Sequence, residues 1–418
     1  MMPRKARFGI VWSQFADYHC DRCDAIGQRL GERYDVLAVE VATGSQTYSW
    51  PASRPLGFAR KQTLFPGAEL ESLSFFKRTR ALLGALWGCQ TVFIGIPYSD
   101  PYVIVTSWLL RLFGRRVVMM TDSKHDDAQR NVVVEVLKRL LLLPYSAAIV
   151  SGGRALHYVR SLGIARQAVV PGYDVVSCER VERQAGALVE TAQVAYEDRP
   201  FVFAGRFVPK KNLTSLVRAY AGYVARTKAP VRRLVLIGAG PKESQLRALI
   251  AELDIVGLVD FTGFLGSEEV ARRMSGALAL VLVSHIEQWG LVVNEAASLG
   301  LPAIVSSAVG ASDALVRNLV NGYVVEASSI EAITRAMCAM AEDEARWRGM
   351  VEETRKRATF ADVGRLADAV QYLLEPETPG LRERIELFIC ESAGGTFAED
   401  TTLRSAARTL AGHRHANT

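Results

Sequence analysis

A chain of 418 residues with 49% hydrophobic and 22% charged content is too long for one ordinary core and too apolar for a disordered polypeptide, so two globular domains are expected. The net charge of +6 is unevenly placed, because residues 1–190 hold 24 Lys/Arg against 17 Asp/Glu whereas the remainder holds 26 against 27. No window of 18 residues is uninterruptedly apolar and no secretory leader precedes the first strand-like run, which argues against a membrane span and for the cytoplasm.

The first half alternates short apolar or β-branched runs with amphipathic stretches. Strands are expected at Arg7–Val11, Val36–Val41, Thr91–Gly95, Arg116–Met120 and Ala147–Val150, with helices between most of them. That alternation implies a parallel, doubly wound sheet. Cys20 and Cys23 form a C-x-x-C pair, but no second pair or His cluster completes a zinc site. Asp126 and Asp127 are adjacent and would point apart on a regular element, so they do not form a metal pair. The basic residues Arg111, Arg115, Arg116, Lys138 and Arg139 suggest a face that docks on anionic membrane; the alternative is an ordinary solvated surface.

Periodicity weakens between about Val175 and Pro200 and then resumes. Strands at Phe201–Ala204, Arg233–Ile237, Val259–Thr262, Leu278–Val283 and Ala303–Ser306 alternate with helices at Leu213–Ala225, Lys242–Leu253, Ser267–Met274 and Leu291–Leu299, a second doubly wound sheet. Ala332–Leu374 reads as helical, and one more amphipathic stretch, Leu381–Cys390, precedes a polar end. The expected division is residues 1–180 as one domain, 181–200 as linker, 201–375 as a second domain and 376–418 as a helical extension with a frayed tail. Two α/β Rossmann-like domains facing across a cleft follow.

The densest cluster of chemistry-bearing residues follows the strand at 278–283. It reads Ser284-His-Ile-Glu287-Gln288-Trp289-Gly290-Leu291-Val-Val-Asn-Glu295. A strand end would deliver Glu287, Gly290 would let backbone approach a ligand, and the helix beginning near Leu291 would aim free N–H groups at a diphosphate. From the first turns of that helix Glu295 could accept two hydrogen bonds from a ribose diol. The bland alternative is a loop carboxylate and a favourable charge near a helix start.

The loop after Phe201–Ala204 carries Gly205, Arg206 and Lys211, with Lys210 as the rival of Lys211. Two cations there could neutralise a departing nucleoside diphosphate, as a metal ion would. Gly238 and Gly240 follow the next strand, but Glu243 stands where a dinucleotide fingerprint needs a third glycine, so a nicotinamide site is not expected. With Gly263 and Phe264 these glycines could wall a nucleoside pocket, or they could be ordinary turn residues.

Together, G-R-F-V-P-K-K-N-L at 205–213, I-G-A-G-P at 237–241, F-T-G-F at 261–264, S-H-I-E-Q-W-G-L-V-V-N-E-A at 284–296, G-L-P-A-I-V-S at 300–306 and N-G-Y-V-V at 321–325 resemble the retaining family-4 glycosyltransferases of the GT-B fold. The resemblance is specific over about 200–375. In the N-terminal half it rests on architecture and on weaker matches at 150–153 and 170–174. It implies that Arg206 and Lys211 touch the donor diphosphate, Glu287 the transferred sugar and Glu295 the ribose. It also implies that neither metal nor cofactor is needed and that a donor phosphate oxygen takes the acceptor's proton.

The implied partners are a nucleotide-sugar donor and a saccharide or lipid-linked acceptor, without nucleic acid. Several positions depart from the pattern. Trp12-Ser-Gln-Phe-Ala-Asp-Tyr-His-Cys20 stands where glycines are common, and Trp289 where Phe is usual. Gly310-Ala-Ser-Asp313 replaces a glycine pair followed by Glu. After Met120 either Asp122 or His125 would take the place of a sugar-site histidine. Competing readings are a nucleotide-sugar epimerase and a non-catalytic sugar-nucleotide scaffold.

Overall fold

A computed structural model describes residues 5–46, 50, 53–128, 130–186, 194–228 and 230–392. The chain divides into two compact units, 1–175 with 363–418, and 176–362. In the first unit the order is β1 (Ala6–Trp12), α1 (Asp17–Leu30), β2 (Tyr34–Gly44), β3 (Arg60–Glu69), α2 (Phe75–Leu86), β4 (Thr91–Ile94), α3 (Pro101–Leu112), β5 (Arg116–Thr121), α4 (Val132–Leu142), β6 (Tyr145–Val150), α5 (Gly153–Ser161) and β7 (Val169–Pro171). The strands form one parallel sheet in the order β3-β2-β1-β4-β5-β6-β7.

Period-2 alternation is absent from the central strands because both sheet faces are covered, the signature of a parallel sheet. One face buries Leu82 and Leu86 of α2, Tyr102 and Leu110 of α3, Leu142 of α4, and Leu156 and Val159 of α5. The other buries Phe8, Phe93 and Ile26 of α1. Cys20 and Cys23 lie in that second core, where burial pushes both thiols up, Cys20 to about 11, so neither is poised as a thiolate.

The second unit runs α6 (Cys178–Gln184), β8 (Phe201–Ala204), α7 (Leu213–Arg226), β9 (Leu234–Ile237), α8 (Glu243–Glu252), β10 (Val259–Gly263), α9 (Ser267–Ser275), β11 (Ala279–Leu282), α10 (Leu291–Ser298), β12 (Ala303–Ser306), α11 (Ser312–Leu315), β13 (Gly322–Val325), α12 (Ile330–Glu342) and α13 (Glu344–Arg357). Its parallel sheet is ordered β10-β9-β8-β11-β12-β13.

The chain then returns to the first unit as α14 (Gly364–Leu374) and α15 (Leu381–Ser392). Leu366 and Val370 join the α1 core, and the buried carboxylate of Asp368 meets Arg29 at 2.8 Å and Arg384 at 3.3 Å. The division therefore falls at 362/363 rather than 375/376, because the apolar stripe of α14 fits the first sheet. Cys178–Gln184, which spans the expected boundary at 180/181 between first domain and linker, is a helix of the second unit packed near α10, where the Ser298 hydroxyl donates to Cys178 Sγ. Part of the expected linker, 187–193, and the frayed tail, 393–418, lie outside the described residues.

The expected basic set also divides. Arg115 stacks over Trp87, Arg116 donates to the Leu373 carbonyl, and Lys138 pairs with Glu135 at 2.9 Å, leaving Arg111 and Arg139 exposed.

Candidate active site

β8 and β11 are neighbours at the centre of the second sheet. From β8 the chain winds outward through β9 and β10, and from β11 it winds the other way through β12 and β13. Loops leaving such a reversal splay apart and open the crevice where doubly wound sheets bind ligands. The two strongest sequence motifs are these loops.

Backbone and side chains tie them together. The His285 amide donates to the Lys210 carbonyl at 2.8 Å. The Asn212 side-chain amide donates to the Val283 carbonyl at 3.0 Å and to the Ala327 carbonyl at 2.7 Å. On that frame the Lys211 ammonium pairs with Glu287 Oε2, which also accepts from the Ser284 hydroxyl at 3.1 Å. Only 13% and 11% of the two charged side chains are exposed, so the pair works in a low dielectric. Lys211, not Lys210, reaches the acid.

Asn212 is a site residue that its sequence motif does not mark. It occupies the left-handed region at φ 56°, which Asn tolerates, and its amide is buried. Asn212→Ala removes two buried hydrogen bonds and leaves a β-carbon in strained backbone, so a loss of about 3 kcal/mol in urea unfolding is expected. Asn212→Gly should lose about 1 kcal/mol less. A wild-type unfolding midpoint in the Ala variant would show that this amide does not hold the loops.

Gly290 caps α10 with φ 100°, and a β-carbon there would sit 3.2 Å from Leu282 Cδ2 and 3.3 Å from Glu287 Cγ. No side chain caps this helix and its first turn holds no acid, so its leading N–H groups suit an anion. The Gly310 and Ala311 amides brace the loop by donating to the carbonyls of Glu287, at 3.2 Å, and Trp289, at 3.0 Å. Gln288 and Leu291 are half-buried. Trp289 differs from the expectation: its indole is 3% exposed and donates to Asn294 Oδ1 at 2.8 Å, so the ring supports the loop from inside the unit.

Glu295 lies half-buried on α10, and burial, opposed by Arg180, pushes its carboxyl up to about 7. A diol is held best by the ionised form. On the expectation that Glu295 holds the ribose diol of a nucleotide sugar, whose diphosphate diester does not titrate near neutrality, affinity for that ligand should rise roughly tenfold between about pH 6 and about pH 8 and become flat in Glu295→Gln. Titration calorimetry reads this directly. In the free protein the folded carboxyl keeps its proton to about 7 while the unfolded one releases it near 4.5, so its contribution to stability falls as pH rises through that window.

Gly205 and Arg206 follow β8, Gly238 and Gly240 follow β9, and Gly263 ends β10 with Phe264 just beyond it. The Gly205 amide donates to the Ile237 carbonyl and the Gly238 amide to the Gly263 carbonyl, both at 2.9 Å, so the three turns form one layer. The Arg206 side chain is exposed, as is the Phe264 ring. A cavity of about 1200 Å³ elsewhere in the second unit, lined by Glu182, Arg199, Trp347 and Arg355 among others, includes none of the expected site residues.

Asp122 and His125 belong to the first unit, in the segment after β5. His125 is exposed, its ring 6.1 Å from that of Tyr158. Asp122 is half-buried within a polar group at the carboxyl ends of β1, β5 and β7. There Arg22 meets Asp174 at 3.2 Å, and the Trp12 indole donates to the Tyr173 hydroxyl at 3.0 Å. Burial and the Asp122 charge push the Asp174 carboxyl up against the pull of Arg22. Where glycines were absent after β1, the rings of Trp12, Phe15 and His19 fill the space, with centroids 4.9–5.8 Å apart.

Residues 191–357 match the family described as Glycosyl transferases group 1. That stretch, most of the second unit, is similar to the group 1 glycosyl transferases. Its similarity to the D-inositol 3-phosphate glycosyltransferase of Streptomyces griseus is 35% identity over 148 residues, 34% of this chain and 31% of that one. With the N-acetyl-alpha-D-glucosaminyl L-malate synthase of Bacillus anthracis it is 26% over 180 residues, 43% and 46% of the two chains. The chain thus spans about a third of the length of the first of these relatives.

Among solved structures, Anabaena HepE in complex with UDP and glucose superposes with a TM-score of 0.65 at 14% identity, covering 89% of this chain and all of that one. Sucrose-phosphate synthase from Thermosynechococcus elongatus gives 0.66 at 18%, covering 89% and 99%. These likenesses show the fold, a GT-B-type pair of Rossmann-like sheets with C-terminal helices.

Proposed function

We propose that this glycosyltransferase moves a hexose from a UDP- or GDP-sugar to a saccharide or lipid-linked acceptor with retention of anomeric configuration, in surface polysaccharide or glycoconjugate assembly. The observation that carries the reading is the Lys211–Glu287 pair beside the uncapped start of α10, at the strand-order reversal. Arg206, Lys211 and the α10 amides would bind the diphosphate and stabilise the charge that develops as it leaves, without a metal ion or cofactor. Glu287 would hold sugar hydroxyls, and Glu295 the ribose.

The acceptor oxygen attacks the anomeric carbon on the face from which the diphosphate departs. Its proton passes to a phosphate oxygen of that leaving group, so no protein nucleophile is needed. Asp122 or His125 would take the part of a sugar-site histidine, and the remaining contacts of the nucleoside would come from Gly205, Gly238, Gly240, Gly263 and Phe264. The enzyme would act in the cytoplasm, in peripheral contact with anionic membrane; no helix of the described residues is long and apolar enough to cross one.

Thermal shift against UDP, GDP, dTDP, ADP and their hexose conjugates tests the reading. One nucleotide family should raise the midpoint, and Arg206→Ala should abolish the shift. Product formation should persist in EDTA. A nucleotide sugar altered without acceptor would favour an epimerase, and binding without turnover a scaffold.

A further inference from the structure

Helix α4 is built inside out. Two of its three charged side chains, Glu135 and Lys138, turn inward onto Tyr158, whose hydroxyl donates to Glu135 Oε2 at 2.9 Å and accepts from Lys138 at 2.8 Å, while the exposed Arg139 donates to the Ser161 carbonyl at 3.0 Å. The apolar side chains turn outward: Val132 is 81% exposed, Val133 67%, Leu137 53% and Leu140 54%, and within the helix only Leu142 is buried. An ordinary surface helix shows the reverse polarity.

The neighbouring helix on the same sheet face adds Leu112 at 71%, with Phe113 just beyond it, and Phe113 lies 4.9 Å from the ring of Trp87. Exposed apolar area of this extent on one face marks an interaction surface.

Charge selects the occupant. Helices α2 to α5 carry eight Lys/Arg and one acid, the inward-turned Glu135. On the opposite sheet face, α1 and α14 carry four Asp and three Arg. Lys77, Arg80, Arg111 and Arg139 are exposed on the basic face, where they can meet headgroup phosphates while the apolar side chains of α4 enter the acyl boundary. A protein partner would need acidic residues around an apolar centre, and a second copy would oppose one basic face with another.

We infer that α4, with the end of α3, is a monotopic docking element that seats the first unit on an anionic lipid bilayer, its apolar side inserted and its cations on the headgroups. This deepens the membrane part of the proposed function and needs neither the donor nor the acceptor to be right.

Flotation of the full chain with vesicles, read without any turnover, tests it. The protein should float with vesicles containing phosphatidylglycerol and much less with pure phosphatidylcholine. Val133→Glu with Leu137→Glu should lower the partition by at least about tenfold, and Arg111→Gln with Arg139→Gln should erase the lipid preference. All four positions are exposed, so circular dichroism and the melting midpoint should stay at wild-type values. The inference fails if the wild type ignores phosphatidylglycerol vesicles or if the double Glu variant floats equally well. It fails too if sedimentation shows a dimer that the double Glu variant dissociates while vesicle binding persists.

Discussion

Lys211→Ala is expected to lower kcat/KM by about a thousandfold, measured as nucleotide release from the donor sugar, because it removes the cation proposed to meet the departing diphosphate. That loss corresponds to about 4 kcal/mol of transition-state stabilisation, the size found for one preorganised charge in a water-excluded site. Glu287→Gln should lose activity to a similar degree. The two residues form one buried pair, so the double variant should fall no further than either single one.

Stability should separate the roles. Lys211→Met leaves a buried carboxylate without its cation and is expected to cost about 2 kcal/mol, part of which Glu287→Gln in the same chain restores. Activity within tenfold of wild type in either single variant would remove the pair from the chemistry.

The second large effect is structural. In Gly238→Ala the new β-carbon would lie 2.0 Å from the Gly205 carbonyl oxygen, at φ 132°. Backbone must then move, and because Gly238 and Gly205 are both bonded to neighbouring turns, the layer under the expected nucleoside site moves with it. A loss of about 3 kcal/mol or more in urea unfolding is expected, together with loss of the nucleotide-induced thermal shift. Gly263→Ala is the internal control. Its φ is 72° but a β-carbon there meets nothing within 4 Å, so only the left-handed penalty of about 1 kcal/mol should appear. Equal losses in the two variants would mean that backbone conformation, not the close approach of the two loops, sets the requirement.

Elements with strong local signals were legible from the amino acids alone. β8 and β12 match their expected bounds at both ends, since each is a short, fully buried apolar run between polar or turn-forming residues. β3 gives no such signal: it is an edge strand with no buried residue that contains Pro66 and lacks an apolar stripe. β7 was missed as a strand because three residues give no period. The helices at 364–392 were legible as helices, but an amphipathic stripe records that a face must be buried and not which sheet buries it. Their assignment to the first unit rests on Leu366, Val370 and the Asp368–Arg29 ion pair, whose partners are far away in the chain.

For the candidate site the sequence determined the residue types, their order and their loops. Gly205, Arg206 and Lys211 follow one strand, Glu287 and Gly290 another, and these short-range facts are written in local patterns. Tertiary structure alone decided that β8 and β11 are neighbours, and hence that Lys211 finds Glu287 across 76 positions of chain. It also decided that the Trp289 ring faces inward, that the Asn212 amide holds two loops together, and that α4 turns its charges onto Tyr158 and its valines outward. Periodicity gives a helix two faces. The direction each face points depends on partners distant in sequence, whose contacts exist only once the sheet has formed.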